Sequence, residues 1–355
     1  MGNESSAPND NSAIDKKLQE QPTKDDRSKW QVVDTPQDAS FLPTLAVALW
    51  LGWMGLLVKV TLLVFCFGSP LVKVLWIGLC TLSWFLPPNF PSPMGKDVFG
   101  KWLMLQAEKY FGLKTTVEDP DSLKEASKGS ALIFAKEPHD VLPYSVFCFA
   151  DALQRVCLHD PQQSIAALTT GAVFQIPFIK QVYSWVGCFP VDKKTFRQRL
   201  DRKESFAFIP GGAQEVLKLA SSNGKIPLYL QKRKGFVKLA LQTGSPIVPV
   251  FAFGLDQSYD YIIPPFTETL SRQIGFVPVL FTGRFGIPFG IPKATQIHVV
   301  IGKPILIPKL MEEDSSKMAE AIDKYHAIYL QELEALFERH KQDERGYESK
   351  HLMIF

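Results

Sequence analysis

Cysteine is scarce and unpatterned in this chain. Five residues, Cys66, Cys80, Cys148, Cys157 and Cys188, form no CxxC pair and no evenly spaced framework, which argues against a disulfide scaffold and a structural zinc site. Net charge is nearly absent as well. The 39 Lys and Arg against 36 Asp and Glu leave +3, too balanced for a chain whose task is to neutralise nucleic-acid phosphates. Several catalytic signatures are also missing. Without a GxSxG elbow, a Walker loop, a GxGxxG after a strand or an HExxH, the common serine hydrolases, P-loop NTPases, dinucleotide enzymes and zincins are removed, and neither a metal nor a cofactor is expected.

Apolar residues are rare before Trp30, so residues 1–38 cannot bury enough surface to offset the entropy of ordering and read as a disordered tail. The pattern then reverses. Phe41 to Val58 and Val74 to Pro91 are each 18 residues without a charge, separated by a Gly68-Ser69-Pro70 turn and by Lys59 and Lys73. As helices such runs measure about 27 Å, close to the ~30 Å thickness of bilayer hydrocarbon. Residues 39–93 are therefore expected to form a membrane helical hairpin, spanning or re-entrant. Basic residues flank it on both outer sides, Lys24, Arg27 and Lys29 before and Lys96, Lys101 and Lys109 after, which places tail and body on the cytosolic face.

Residues 94–355 have the composition of one globular domain. Short β-rich runs at Ala131–Ala135, Ser164–Thr169, Ser205–Ile209, Pro246–Phe253 and Gln296–Ile301 alternate with helical patterns at Asp97–Phe111, Gly235–Thr243 and Ser315–Arg339. That alternation predicts an α/β fold, a mixed sheet flanked by helices. The Pro- and Phe-rich section from Tyr259 to Pro292 reads as a loop insertion lying on lipid.

The first strand runs directly into Glu137-Pro138-His139-Asp140, an imidazole between carboxylates at a strand's carboxyl end, where open α/β sheets meet ligands. A neutral imidazole suits proton removal near neutral pH, which makes His139 the general-base candidate. Another strand, SFAFI, runs into Pro210-Gly211-Gly212-Ala213-Gln214-Glu215. Paired glycines there let backbone N–H groups approach a ligand. Lys232, Arg233 and Lys234 precede a predicted helix and suit phosphate groups such as those of coenzyme A. A base without an evident covalent nucleophile suits direct attack of a substrate hydroxyl on an activated acyl group.

Taken in order, the hairpin, EPHD, PGGAQE and RKGFVKLAL resemble the type 2 family of acyl-CoA:diacylglycerol acyltransferases, which also includes monoacylglycerol and wax-alcohol acyltransferases. The similarity extends through GCFPVDKKTFRQRL, PGGAQEVL, RKGFVKLALQTGSPIVPVFAFG, VVIGKPI and LEALFERHK, and EPHDVLP is similar to the EPH form of plants and algae. The resemblance implies a glycerolipid-acyltransferase-like fold, His139 as catalytic base, Glu137 and Pro138 as its motif partners, and Gly211, Gly212 and Glu215 in the active site. Which of Glu137, Asp140 and Glu215 orients the imidazole stays open. The implied substrates are acyl-CoA and diacylglycerol, the product is triacylglycerol, and the place is the endoplasmic reticulum membrane or a lipid droplet, with a homo-oligomer left open. The alternatives are the same chemistry on monoacylglycerol, a long-chain alcohol or a sterol, and a non-catalytic droplet-coating hairpin protein.

Overall fold

The computed structural model describes residues 27–144, 156–219, 221–222, 224–264, 267–274, 277–310 and 315–355. The first half of the chain holds β1 (Gln31–Asp34), α1 (Phe41–Trp50), α2 (Trp53–Phe67), α3 (Pro70–Phe85), α4 (Lys101–Phe111), β2 (Lys114–Val117), α5 (Pro120–Ser127), β3 (Ile133–Glu137) and β4 (Ala166–Thr169). After them come α6 (Ile179–Trp185), β5 (Cys188–Pro190), α7 (Lys193–Asp201), β6 (Phe206–Phe208), α8 (Val216–Leu219), β7 (Ile226–Leu228) and α9 (Gly235–Thr243). The last part contributes β8 (Ile247–Phe253), β9 (Asp260–Ile262), α10 (Thr267–Ile274), β10 (Leu280–Thr282), β11 (His298–Ile301), α11 (Ser315–His340) and β12 (Leu352–Ile354).

Eight strands form one sheet in the order β1-β2-β11-β8-β3-β6-β4-β5. The run β8-β3-β6-β4-β5 is parallel throughout, while β11 lies antiparallel to β8, so the sheet is mixed, in line with the sequence pattern. Side chains alternate across a strand. Phe134 of β3 therefore joins the apolar layer that holds Trp50, Leu103 and Phe111, whereas Ile133 and Ala135 join the opposite layer with Phe236, Val237, Leu333 and Phe337. Helices cover both faces. Continuing the alternation, Glu137 lies on the α9 and α11 side and Lys136 on the α1 and α4 side.

Three sequence expectations need correction. The apolar run Phe41 to Val58 is not one hairpin leg. It breaks at Leu51-Gly52, and α1 packs on α4 with Ala46, Val47 and Trp50 buried in the body. An uncharged run reads alike whether protein or lipid covers it, which is why the pattern could not separate the two. The exposed apolar pair is instead α2 and α3, joined at Gly68-Ser69, with Ser69 Oγ accepting from Val72 N–H at 3.4 Å and Pro70 opening α3. Leu62, Leu63, Phe65, Leu75, Ile77 and Phe85 are all exposed on it. Among the described residues no single helix is long and apolar enough to cross a membrane; one pair, Phe41–Trp50 with Gly55–Phe67, meets that length and composition only together, bent by 72°.

Secondly, Gln31–Asp34, assigned to the unordered tail, forms the sheet edge β1, paired antiparallel with β2. Thirdly, the Tyr259–Pro292 section carries structure of its own, the antiparallel pair β9-β10 and helix α10. Its loop meets α2, where Lys59 Nζ donates to the Pro288 carbonyl at 3.0 Å.

Candidate active site

β3, β6 and β4 are parallel neighbours, so their carboxyl ends share one edge of the sheet. β3 ends in Glu137-Pro138-His139-Asp140, with a cis bond before Pro138, and β6 ends in the Pro210-Gly211-Gly212 turn. The two motifs that the sequence separates by about seventy residues interlock here. Gly211 N–H donates to Glu137 Oε1 at 2.8 Å, and His139 N–H donates to Glu215 Oε2 at 2.8 Å. Glu215 Oε1 also accepts Tyr229 N–H at 3.0 Å. Gly212 bends the turn with φ at +63°, a left-handed conformation that favours glycine. At Gly211 the reason for glycine is space, because an added Cβ would stand 1.7 Å from Glu215 Oε1.

The ring of His139 is oriented by backbone. Its Nδ1 lies 2.8 Å from the Asp140 carbonyl, and since a carbonyl only accepts, Nδ1 carries the proton and Nε2 keeps the lone pair. None of the three carboxylates left open by the sequence touches the ring. Glu215 instead fixes the His139 backbone, and Asp140, held left-handed at φ +54°, turns its carboxylate onto Val141 N–H at 2.5 Å. Among the described residues no serine, threonine or cysteine hydrogen-bonds to the imidazole.

Burial governs the protonation states. Desolvation pushes His139 down to about 4, helped by the Lys136 charge and opposed by the Asp140 carbonyl, so the ring is neutral at neutral pH. Glu137 is fully buried, and desolvation together with the Glu215 charge raises it well above the usual carboxylate range. Glu215 is raised as well by burial, against the pull of its two N–H donors. Glu137 Oε2 has no donor among the described residues, and the two side chains meet. Two buried carboxylates in contact do not readily ionise together; burial raises both, and the Glu215 charge raises Glu137 in addition. Asp140 is lifted to about 6 by burial and by the neighbouring Asp256 charge.

Of the predicted cations only Arg233 reaches the site. Its Nη2 lies 3.4 Å from the Gly211 carbonyl, and its guanidinium stacks over Tyr229 at 4.9 Å. Lys234 pairs with Asp323 of α11 at 2.7 Å, and Lys232 is exposed, so the three cations point in different directions rather than together onto the glycine turn. The Gly211 N–H is likewise spent on Glu137 rather than offered to a ligand. Sequence reasoning missed Lys136, which is fully buried and donates through Nζ to the Pro138 carbonyl at 2.7 Å. A lysine and a glutamate extending an apolar strand were the available signal, since charges are buried so deeply only when paired. Three other histidines are tied into the frame: His298 to Thr116 and Glu344, His340 to Glu118, and His326 to the Leu230 carbonyl.

The close fit of the turn yields a prediction. Gly211→Ala drives a methyl group into the Glu215 carboxylate and displaces the His139 backbone it holds. It is expected to cost about 1–3 kcal/mol of stability, read by thermal unfolding, and roughly 10²-fold in turnover at the temperature where the fold is intact.

Comparison with known proteins bears on the chain as a whole. The family profile described as diacylglycerol acyltransferase matches residues 64–354. Diacylglycerol O-acyltransferase 2 of Dictyostelium discoideum is 36% identical over 236 residues, covering 62% of this chain and 69% of that protein. Diacylglycerol O-acyltransferase 2 of Homo sapiens is 28% identical over 309 residues, covering 78% of this chain and 72% of that protein. Among solved structures, the 1-acyl-sn-glycerophosphate acyltransferase PlsC of Thermotoga maritima aligns over 82% of this chain and 97% of that one, at 14% identity and a TM-score of 0.36, too low a likeness to carry an argument.

Proposed function

The chain belongs to the diacylglycerol acyltransferase family, and on that premise we propose that it transfers a fatty acyl group from acyl-CoA to diacylglycerol with His139 as general base. The observation that carries this mechanism is the tautomer: Nδ1–H engaged by the Asp140 carbonyl at 2.8 Å, which leaves Nε2 as the ring's proton acceptor. The acceptor lipid's hydroxyl gives its proton to Nε2 as its oxygen attacks the thioester carbonyl. The resulting tetrahedral centre collapses with cleavage of the C–S bond, and the departing thiolate takes the proton from Nε2–H. Triacylglycerol and free coenzyme A result. No acyl-enzyme is formed, because the attacking oxygen belongs to the substrate.

The remaining groups hold this arrangement. Glu215 fixes the backbone of His139, Glu137 fixes the glycine turn, Pro138 lies between the two, and Asp140 supplies the carbonyl that sets the tautomer. Arg233, beside Gly211 and Gly212, is the cation for the phosphates of coenzyme A, with exposed Lys232 at its outer side. The exposed apolar pair α2 and α3 anchors the enzyme in the endoplasmic reticulum bilayer with its body on the cytosolic face, and Phe285 and Phe289 of the adjoining loop, both exposed, rest on the same lipid. Such a position brings a lipid alcohol to the base without passage through water and limits hydrolysis of the thioester.

The test is transfer of label from oleoyl-CoA to diolein in microsomes of a yeast strain that makes no triacylglycerol. The reading requires labelled triacylglycerol as the main product when diolein competes with monoolein, hexadecanol and a sterol. A preference for one of those acceptors would reassign the substrate, and no transfer to any of them would refute the reading.

A further inference from the structure

One cavity lies away from the acid pair and the imidazole. It has a volume of about 300 Å³ and sits where α3 packs against α6. Its rim is Leu79, Leu82 and Phe90, all exposed, and its floor is Val182 and Trp185. Two polar side chains line it, and both are already satisfied: Ser83 Oγ donates to Gln181 Oε1 at 3.2 Å and accepts Phe178 N–H at 2.7 Å, while Gln181 Nε2 donates to the Ser83 carbonyl at 3.0 Å. Lys180 on the same helix is turned aside, its Nζ donating to the Trp84 carbonyl at 2.5 Å. Trp185 Nε1 also donates, to the Phe90 carbonyl at 3.1 Å, so a ligand entering this space meets mostly hydrocarbon.

We propose that this cavity binds a fatty acyl chain of a substrate, admitted between α3 and α6 from the bilayer side. The inference rests on the acyltransferase reading above, which supplies long alkyl chains as substrates, and on three features of the place. Water is a poor occupant, because apolar cavities stay dry, and a void there would forfeit dispersion contacts on every wall. The volume lies at the low end for ligand sites, enough for an alkyl chain and too small for a nucleotide as well. The floor is also connected to the chemistry: α6 follows β4, whose carboxyl end lies on the same sheet edge as those of β3 and β6. Val182 belongs to the same apolar cluster as Val141, two residues beyond His139, with Trp185 and Leu142 packed against it.

The experiment uses the full chain in microsomes. Leu82→Trp narrows the mouth from its exposed side without altering buried Val182 of the floor. For this variant the ratio of kcat/KM for oleoyl-CoA to that for octanoyl-CoA should fall by about tenfold if the cavity holds the donor chain, and the ratio for dioleoylglycerol to dioctanoylglycerol should fall likewise if it holds an acceptor chain. Both ratios unchanged would overturn the proposal. In wild-type enzyme, palmitoyl-CoA and a diacylglycerol, each with a diazirine near the chain end, should between them label peptides containing residues 79–90 or 178–185; labelling confined to other segments would equally overturn it. Because crosslinking reads occupancy and not turnover, it tests the cavity even if no acyl transfer is found.

Discussion

His139→Ala lowers the rate of acyl transfer by about 10²- to 10⁴-fold while the protein stays folded, because it removes the base and little else. His139 is half-buried and its ring bonds, among the described residues, only to the adjacent carbonyl, so truncation leaves no distant partner stranded. The pH profile sharpens the expectation. Burial lowers the imidazole to about 4, so protonation removes the base only as pH falls through that region. An imidazole at its ordinary value near 6.5 would lose most of its base form by pH 5.5. Measured on the wild type, the acid limb assigned to His139 should therefore lie nearer 4 than 6.5, and an acid limb at 6.5 would contradict a neutral, desolvated ring.

The second large effect separates two glutamates that look interchangeable in the sequence. Glu137→Gln should retain activity within about tenfold of wild type. A glutamine carbonyl accepts the Gly211 N–H as Glu137 Oε1 does, and its amide is neutral, like a carboxyl that burial holds well above the ordinary range. Glu215→Gln should fail. Both oxygens of Glu215 accept backbone N–H groups, from Tyr229 and from His139, and an amide has one oxygen to offer. The N–H left facing another donor costs about 1–3 kcal/mol and shifts the His139 backbone, enough for a loss on the order of 10²-fold in kcat. A linkage follows as well. Glu137 titrates higher in the folded chain than unfolded, so its contribution to stability is fully present below the unfolded value near 4.5 and is lost as pH rises through the folded one. Chemical denaturation of Glu137→Gln against wild type should then show the variant gaining relative stability as pH is raised. Equal losses of activity in the two variants would reject this separation of roles, a neutral Glu137 and a backbone-holding Glu215.

Much of this site was legible in the linear chain because two kinds of local signal coincided there. Apolar β-rich runs marked four of the five strands of the parallel run, β3, β4, β6 and β8, and also the antiparallel β11, and polar motifs sat at the carboxyl ends of β3 and β6. Helix α9 fell where the sequence put it, and α11 within a residue. What the sequence could not carry was tertiary. β1 and β5 are short edge strands whose pairing is decided by partners far along the chain. The break of α1 from α2 depends on the body covering Ala46 and Val47, which hydropathy alone does not report. At the site, adjacency in sequence suggested that a carboxylate of Glu137 or Asp140 grips the imidazole. Glu137 instead takes the Gly211 N–H and the left-handed Asp140 takes the Val141 N–H, and a backbone carbonyl holds the ring. The cations 232–234 were read as one patch because they are consecutive, yet the turn entering α9 sends Arg233 to the glycine loop and Lys234 to α11.

The most direct test of direct attack is a rapid-quench experiment with excess enzyme and radiolabelled oleoyl-CoA, with and without diolein. Transfer through His139 alone predicts that coenzyme A is released only when diolein is present and that no label stays on the denatured protein at any time. A burst of coenzyme A without acceptor, matched by stoichiometric acyl-protein that chases into triacylglycerol, would contradict it.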